Sequence, residues 1–151
     1  LSVISVLQKV DTPSVLFFLG ILLAVSALQE IGHLGVLASY LQEKIGDIFV
    51  INVIIGVLSA IVDNVPLVAA AQGMYPVKEV GDYAANGEFW QLLAYCAGTG
   101  GSALIIGSAA GVAVMGLEKI DFFWYLKKIS WLALVGFLVG AVAFMFTRTI
   151  F

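Results

Sequence analysis

The chain has 151 residues, a net charge of −3, 62% hydrophobic and only 11% charged residues, and a mean hydropathy of +1.08. Soluble domains hold about 45–50% apolar and about 25% charged residues, so this composition describes a protein immersed in lipid, and the bilayer is its first expected partner. A single cysteine, Cys96, excludes an internal disulfide, one histidine cannot complete a zinc site, and seven scattered basic residues offer no stripe for nucleic acid; no resident cofactor is expected.

A spanning helix needs about 20 apolar residues, which leaves room for about four membrane elements. The chain opens on Leu1 and has no charged n-region with a cleavage site, so it is expected to be a piece of a longer protein. Residues 1–12, with Leu1, Ile4, Leu7 and Val10, read as the tail of a preceding element. Pro13 marks a helix start, and 13–30 is predicted as a transmembrane helix closing on Gln29 and Glu30. In 31–44, Leu34, Leu37, Ala38 and Leu41 share one face, an amphipathic connector that lies in the interface or continues the first helix at a tilt.

Residues 45–75 are divided by Asp63, Asn64 and Pro66 into arms too short to span about 30 Å, so each is a half-helix or one limb of a re-entrant hairpin. A polar loop follows at 76–88. Residues 89–115 are predicted as a transmembrane helix broken at Gly98-Thr99-Gly100-Gly101-Ser102, because glycine costs about 1 kcal/mol against alanine in a helix interior. Then come a polar loop at 116–128 and a final transmembrane helix at 129–148. Lys9, Lys119, Lys127 and Lys128 fall on one predicted side, with Glu43, Asp47, Glu79, Asp82 and Glu88 opposite, so the positive-inside bias puts the 116–128 loop in the cytoplasm.

Asp63 has no basic residue within ten positions, and an unpaired carboxylate in lipid is costly enough to suggest a role with ions, protons or polar substrate. Broken helices leave free carbonyls and N–H groups facing the gap. Those carbonyls, the Asp63 carboxylate, the Asn64 amide and the hydroxyls of Ser59, Thr99 and Ser102 make an all-oxygen set suited to a hard cation such as sodium. Competition of cation and proton for one carboxylate is the simplest exchange mechanism. The plainer alternative is that Asp63 and Asn64 only cap the second arm, although a serine would do so without a buried charge.

Other patterns are set aside on context. Gly98-x-Gly100-x-x-Ala103 fits a dinucleotide fingerprint, but a helical rather than a strand-like stretch leads into it, and no lysine follows for a phosphate loop. Glu30 and His33 have the Glu-x-x-His spacing of di-iron bundles without a second pair; Glu30 remains a candidate proton relay at the membrane edge and His33 reads as structural. Gly107-x-x-x-Gly111 and Gly136-x-x-x-Gly140 are expected to allow close helix approach, with a homodimer as one outcome, and Trp90, Trp124, Tyr125 and Trp131 to lie at the interfaces.

The stretches Leu58–Ala70, Gly98–Met115 and Glu118–Lys128 resemble the NhaD-type sodium/proton antiporters of the ion transporter superfamily, which also holds arsenite pumps and citrate or dicarboxylate carriers. The resemblance implies an all-α membrane protein, the second of two inverted repeats, with a re-entrant helical hairpin and a discontinuous transmembrane helix. It implies Asp63 and Asn64 at the hairpin tip and Gly98, Thr99, Gly101 and Ser102 in the broken helix, with sodium at Asp63, Asn64, Thr99 and Ser102. The expected function is sodium/proton antiport across a bacterial cytoplasmic membrane, with lithium as an alternative cargo and an N-terminal repeat of the same protein completing the site. An anion carrier of the same superfamily and a non-transporting membrane scaffold are the alternatives.

Overall fold

The computed structural model describes residues 12–150, so all but Thr12 of the expected 1–12 tail lies outside the described residues. Helix α1, Thr12–Glu30, is followed by α2, His33–Lys44. The two do not continue one another: the axes of Leu19–Glu30 and His33–Lys44 meet at 71°. Gly32 makes the corner with φ 78°, a left-handed conformation that costs glycine nothing, and its N–H bonds the Gln29 carbonyl at 3.0 Å. Of the expected inner face of α2, Leu34 and Ala38 are buried, whereas Leu37 is exposed.

Two short helices come next, α3 at Ile48–Leu58 and α4 at Asn64–Met74, 11 residues each. Each is about 16 Å long, half of a bilayer core. Asp47 starts α3 by accepting a hydrogen bond from the Val50 N–H at 2.9 Å. A loop at 75–87 contains one isolated bridge, Lys78 with Ala84, and no strand forms among the described residues.

Helix α5, Glu88–Gly100, leads into two 3₁₀ turns, Gly101–Ala103 and Ile105–Gly107, and then α6, Ala109–Leu117. The interruption therefore lies later than the glycine composition suggests. Gly98 and Thr99 stay helical, and the ladder fails only where Leu104 and Ser108 turn extended. Ser108 restarts the helix by accepting from the Gly111 N–H at 3.0 Å. The expected 116–128 loop includes a short helix, α7 at Phe122–Lys128, capped by Asp121. Last is α8, Ser130–Ile150, whose Ser130–Arg148 portion is long and apolar enough to cross a membrane.

The core follows the seam between α3 and α5. Ile51 and Ile55 of α3 meet Phe89 and Leu93 of α5, joined by Ala38, Ala71 and Tyr75; a second cluster unites Leu92 and Cys96 with Phe137 of α8. Both arms of the 45–75 region thus sit on one core with the broken helix. Outside it, Leu22, Leu23, Leu132, Val139 and Phe146 are exposed, more apolar surface than a water-soluble monomer presents, and the molecule is an all-α membrane protein.

Candidate functional site at a helix tip and a helix break

Helix α3 unwinds through a tight turn in which Ala60 N–H bonds the Val57 carbonyl at 3.1 Å and Val62 N–H bonds Leu58 at 3.0 Å. Asp63 then takes an extended conformation, φ −50° and ψ 141°, and α4 begins at Asn64. Pro66 lies in the first turn of α4, where a missing N–H has no helical partner to lose.

Asp63 stands at the N-cap position, yet its side chain accepts no capping hydrogen bond. Asp47, Ser108 and Asp121 all do so at their own helix starts. The Asp63 carboxylate is half-buried and has neither a hydrogen bond nor an ion pair among the described residues. That removes the capping explanation and leaves its oxygens available to something else.

The tip is pinned to the break by main-chain contacts. The buried Ser59 hydroxyl donates to the Ala97 carbonyl at 2.8 Å. A methyl group on Gly107 would fall 2.7 Å from the Ala60 oxygen and 2.8 Å from that of Ser59, while one on Gly101 would be 3.0 Å from the Gly107 oxygen. One turn back, Gly100 rests directly on the Gly56 carbonyl, with no room for a Cβ, and Gly56 in turn faces Cys96 and Phe137. The result is a concentration of backbone oxygens where the Ser59–Ala60 turn meets the Gly101–Gly107 stretch. Among the described residues no group of three His, Cys, Asp or Glu side chains assembles, so a cation at this tip would be held by carbonyls and hydroxyls around one carboxylate.

A cavity of about 380 Å³ opens alongside, lined by Leu22 of α1, Asn64, Val68 and Gln72 of α4, and Ala97 and Gly98 of α5. Space beside Gly98 is empty to 4 Å, so this glycine borders the cavity instead of filling a contact.

Of the residues chosen from sequence, Ser59 and Gly101 meet at this junction, and Asn64 and Gly98 line its cavity, whereas Asp63 is not among the lining residues. Thr99 differs: its hydroxyl donates back to the Tyr95 carbonyl at 2.7 Å within α5. Ser102 is exposed, and its carbonyl accepts from the Tyr125 hydroxyl at 2.9 Å, which ties α7 to the break. Glu30 is exposed at the end of α1, two turns beyond Leu22 and away from the cavity lining. Sequence reading missed Gly56 and Gln72, and it assigned Gly100 to the break and Gly107 to a helix-packing face, whereas both glycines lie in the contact between the two elements. A signal for Gln72 existed, since Asn64, Val68 and Gln72 recur every fourth residue along one face of α4. The Gly107-x-x-x-Gly111 reading is corrected: Gly107 belongs to a 3₁₀ turn and Gly111 to α6, so they form no common helix face.

A family model described as citrate transporter matches residues 1–93, which include the tip. The chain belongs to this family. Its relatives carry sodium-exchange names. It is 53% identical over 145 residues to a protein of Arabidopsis thaliana named sodium/proton antiporter 1, covering 96% of this chain and 25% of that protein. It is 51% identical over 139 residues to sodium/proton antiporter 2 of the same plant, covering 92% and 32%. A Na(+)/H(+) antiporter NhaD of Vibrio cholerae is 35% identical over 138 residues, covering 90% and 27%. The chain thus spans about a quarter to a third of these relatives' length. No solved structure matches it. Membership in an NhaD-like branch of the citrate transporter family agrees with the resemblance at Leu58–Ala70 and Gly98–Met115. The relatives come from a plant as well as from bacteria, so the localisation they support is a membrane, not specifically the bacterial one.

Proposed function

We propose that the chain is the second repeat of a secondary transporter that exchanges sodium for protons, with Asp63 as the carboxylate both cations share. The observation that carries this reading is the Asp63 side chain: at a helix N-cap, half-buried, and accepting no hydrogen bond, four residues beyond the Ser59 whose hydroxyl joins this turn to α5. A sodium ion there would satisfy the carboxylate and neighbouring carbonyls together, and a proton would neutralise the same carboxylate, so the two exclude one another. In this reading α3 and α4 are the limbs of a re-entrant hairpin, α5 and α6 the halves of one discontinuous span, and Asn64, Ser59, Gly98, Gly101, Thr99 and Ser102 surround the ion. Thr99 enters through its carbonyl side, its hydroxyl being engaged. An N-terminal repeat completes the site and supplies the element against which this one moves. Lithium is a second cargo, Glu30 a relay on the path to the surface, and a bacterial cytoplasmic membrane the location.

The test uses the full-length protein in everted vesicles. Asp63→Asn is expected to abolish sodium-dependent proton movement while the protein is still inserted; undiminished exchange overturns the assignment. A second reading, transport of a carboxylate anion, is favoured by the family description and by the free N–H groups of α4 beside the cavity. It predicts citrate uptake in the same vesicles that survives Asp63→Asn.

A further inference from the structure

The stretch that joins α5 to α6 has an inner and an outer side. Gly101, Ala103, Ile105 and Gly107 are buried, whereas Ser102 and Ile106 between them are exposed. The inner side bears on the tip: a methyl group on Gly101 would lie 3.5 Å from both the carbonyl and the hydroxyl oxygen of Ser59, and Gly107 lies against the carbonyls of Ser59 and Ala60. On the outer side a backbone group needs a partner. In a continuous helix the Ser102 carbonyl would accept from the N–H four residues on, but the extended Leu104 interrupts that ladder. The Tyr125 hydroxyl donates to this carbonyl instead, at 2.9 Å.

Tyr125 arrives from 23 residues away and is itself firmly held. Beyond the end of α6 the chain turns through Lys119, φ 52°, and the Ile120 N–H bonds the Met115 carbonyl at 3.0 Å. Asp121 then caps α7 by accepting from the Trp124 N–H at 2.9 Å. The Tyr125 N–H bonds the Asp121 carbonyl at 3.0 Å, and its own carbonyl accepts from the Ile129 N–H at 2.8 Å at the entry to α8. Helix α7 also packs on α8 and on the second 3₁₀ turn. The phenol therefore reaches the break from a backbone fixed on both sides.

We propose that Tyr125 is a positioning residue of the candidate ion site. It braces the outer side of the first 3₁₀ turn, whose inner side bears on Ser59, and so sets where the tip stands relative to the break. It touches no ion. The effect on transport rests on the sodium/proton reading, whereas the brace itself does not. One exposed hydrogen bond contributes little to global stability, so its loss is felt first as local opening of the break.

The test uses the full-length protein, with Tyr125→Phe removing the hydroxyl alone. Hydrogen–deuterium exchange over residues 101–108 is expected to quicken about threefold to tenfold, with exchange in α3 unchanged. In proteoliposomes the sodium KM for proton movement should rise by a similar factor while the maximal rate is kept. Asp121→Ala, which removes the cap of the helix that presents Tyr125, should move both readouts in the same direction. Trp124→Phe, an exposed change on the same helix, should move neither. Unchanged exchange over 101–108 in Tyr125→Phe would overturn the brace. Quicker exchange with an unaltered KM, or with only the maximal rate reduced, would overturn the positioning role. Failure of the antiport reading has its own signature, sodium-driven proton movement undiminished in Asp63→Asn, and then the exchange over 101–108 still decides whether Tyr125 holds the break.

Discussion

Asp63 and Ser59 are close in sequence and opposite in role. Because Asp63 caps nothing, its replacement by alanine should move the melting midpoint of the full-length protein by the equivalent of no more than about 0.5 kcal/mol while sodium-driven proton movement is lost. Ser59 is the reverse case: its hydroxyl is buried and satisfies the Ala97 carbonyl. Ser59→Ala is expected to cost about 1–2 kcal/mol in thermal denaturation, since it strands a buried acceptor. In the 76–88 loop, burial first and the Asp82 charge second raise the Tyr83 phenol above its ordinary value of 10.0. The neutral form is the one the fold favours, so this contribution is complete below pH 10 and fades as pH climbs through the raised value. Spectrophotometric titration of wild type against Tyr83→Phe should show one phenol ionising late.

The tip and the break belong together because glycine permits it, and the three glycine environments differ enough to be separated by experiment. Gly100 and Gly107 lie against the main chain of the other element, where a Cβ cannot be accommodated without moving backbone. Gly100→Ala and Gly107→Ala should therefore each destabilise the protein by about 1–3 kcal/mol, visible as lower yield and an earlier melt. Gly98 borders open space, so Gly98→Ala should melt like the wild type and, by narrowing the 380 Å³ cavity, reduce transport. A uniform response of all three would show that the seam is looser than these contacts require. The 71° corner at Gly32 is an element-scale feature of the same kind, made by one residue whose φ of 78° other residues rarely adopt.

At the scale of the molecule, the two ends of α8, the longest apolar helix among the described residues, are anchored differently. Near its start α8 packs with α7, and at its end Arg148 reaches back to Glu88, at the beginning of α5, and to Asp82. These groups are partly exposed, so water screens them, and Arg148→Gln should lower stability by no more than about 1 kcal/mol, with the difference shrinking as salt is raised in the melting buffer. The clamp also explains how an acidic loop is tolerated on that side: its charges are shared with the terminal arginine. Much of the outer surface of α1 and α8 is apolar and unpartnered within the chain, as lipid or a companion repeat would require.

Composition alone determined that the protein lives in a membrane, because 62% apolar residues in 151 cannot all be hidden inside so small a body. Sequence also marked the first interruption, since Asp63, Asn64 and Pro66 favour a helix start over the middle of an apolar helix, whereas it put the second one at Gly98–Ser102, before the extended residues Leu104 and Ser108 where the ladder fails. Only the tertiary structure decided which glycines mark the break and which make the contact. Propensity counts every glycine alike, whereas Gly100 is kept helical by the Gly56 backbone it touches and Gly98 by its place in an intact ladder. It also decided that Thr99 spends its hydroxyl on its own helix and that the Asp63 carboxylate is spent on none. A hydrogen bond's partner is a matter of where two chain segments meet, and no single segment's composition contains that information.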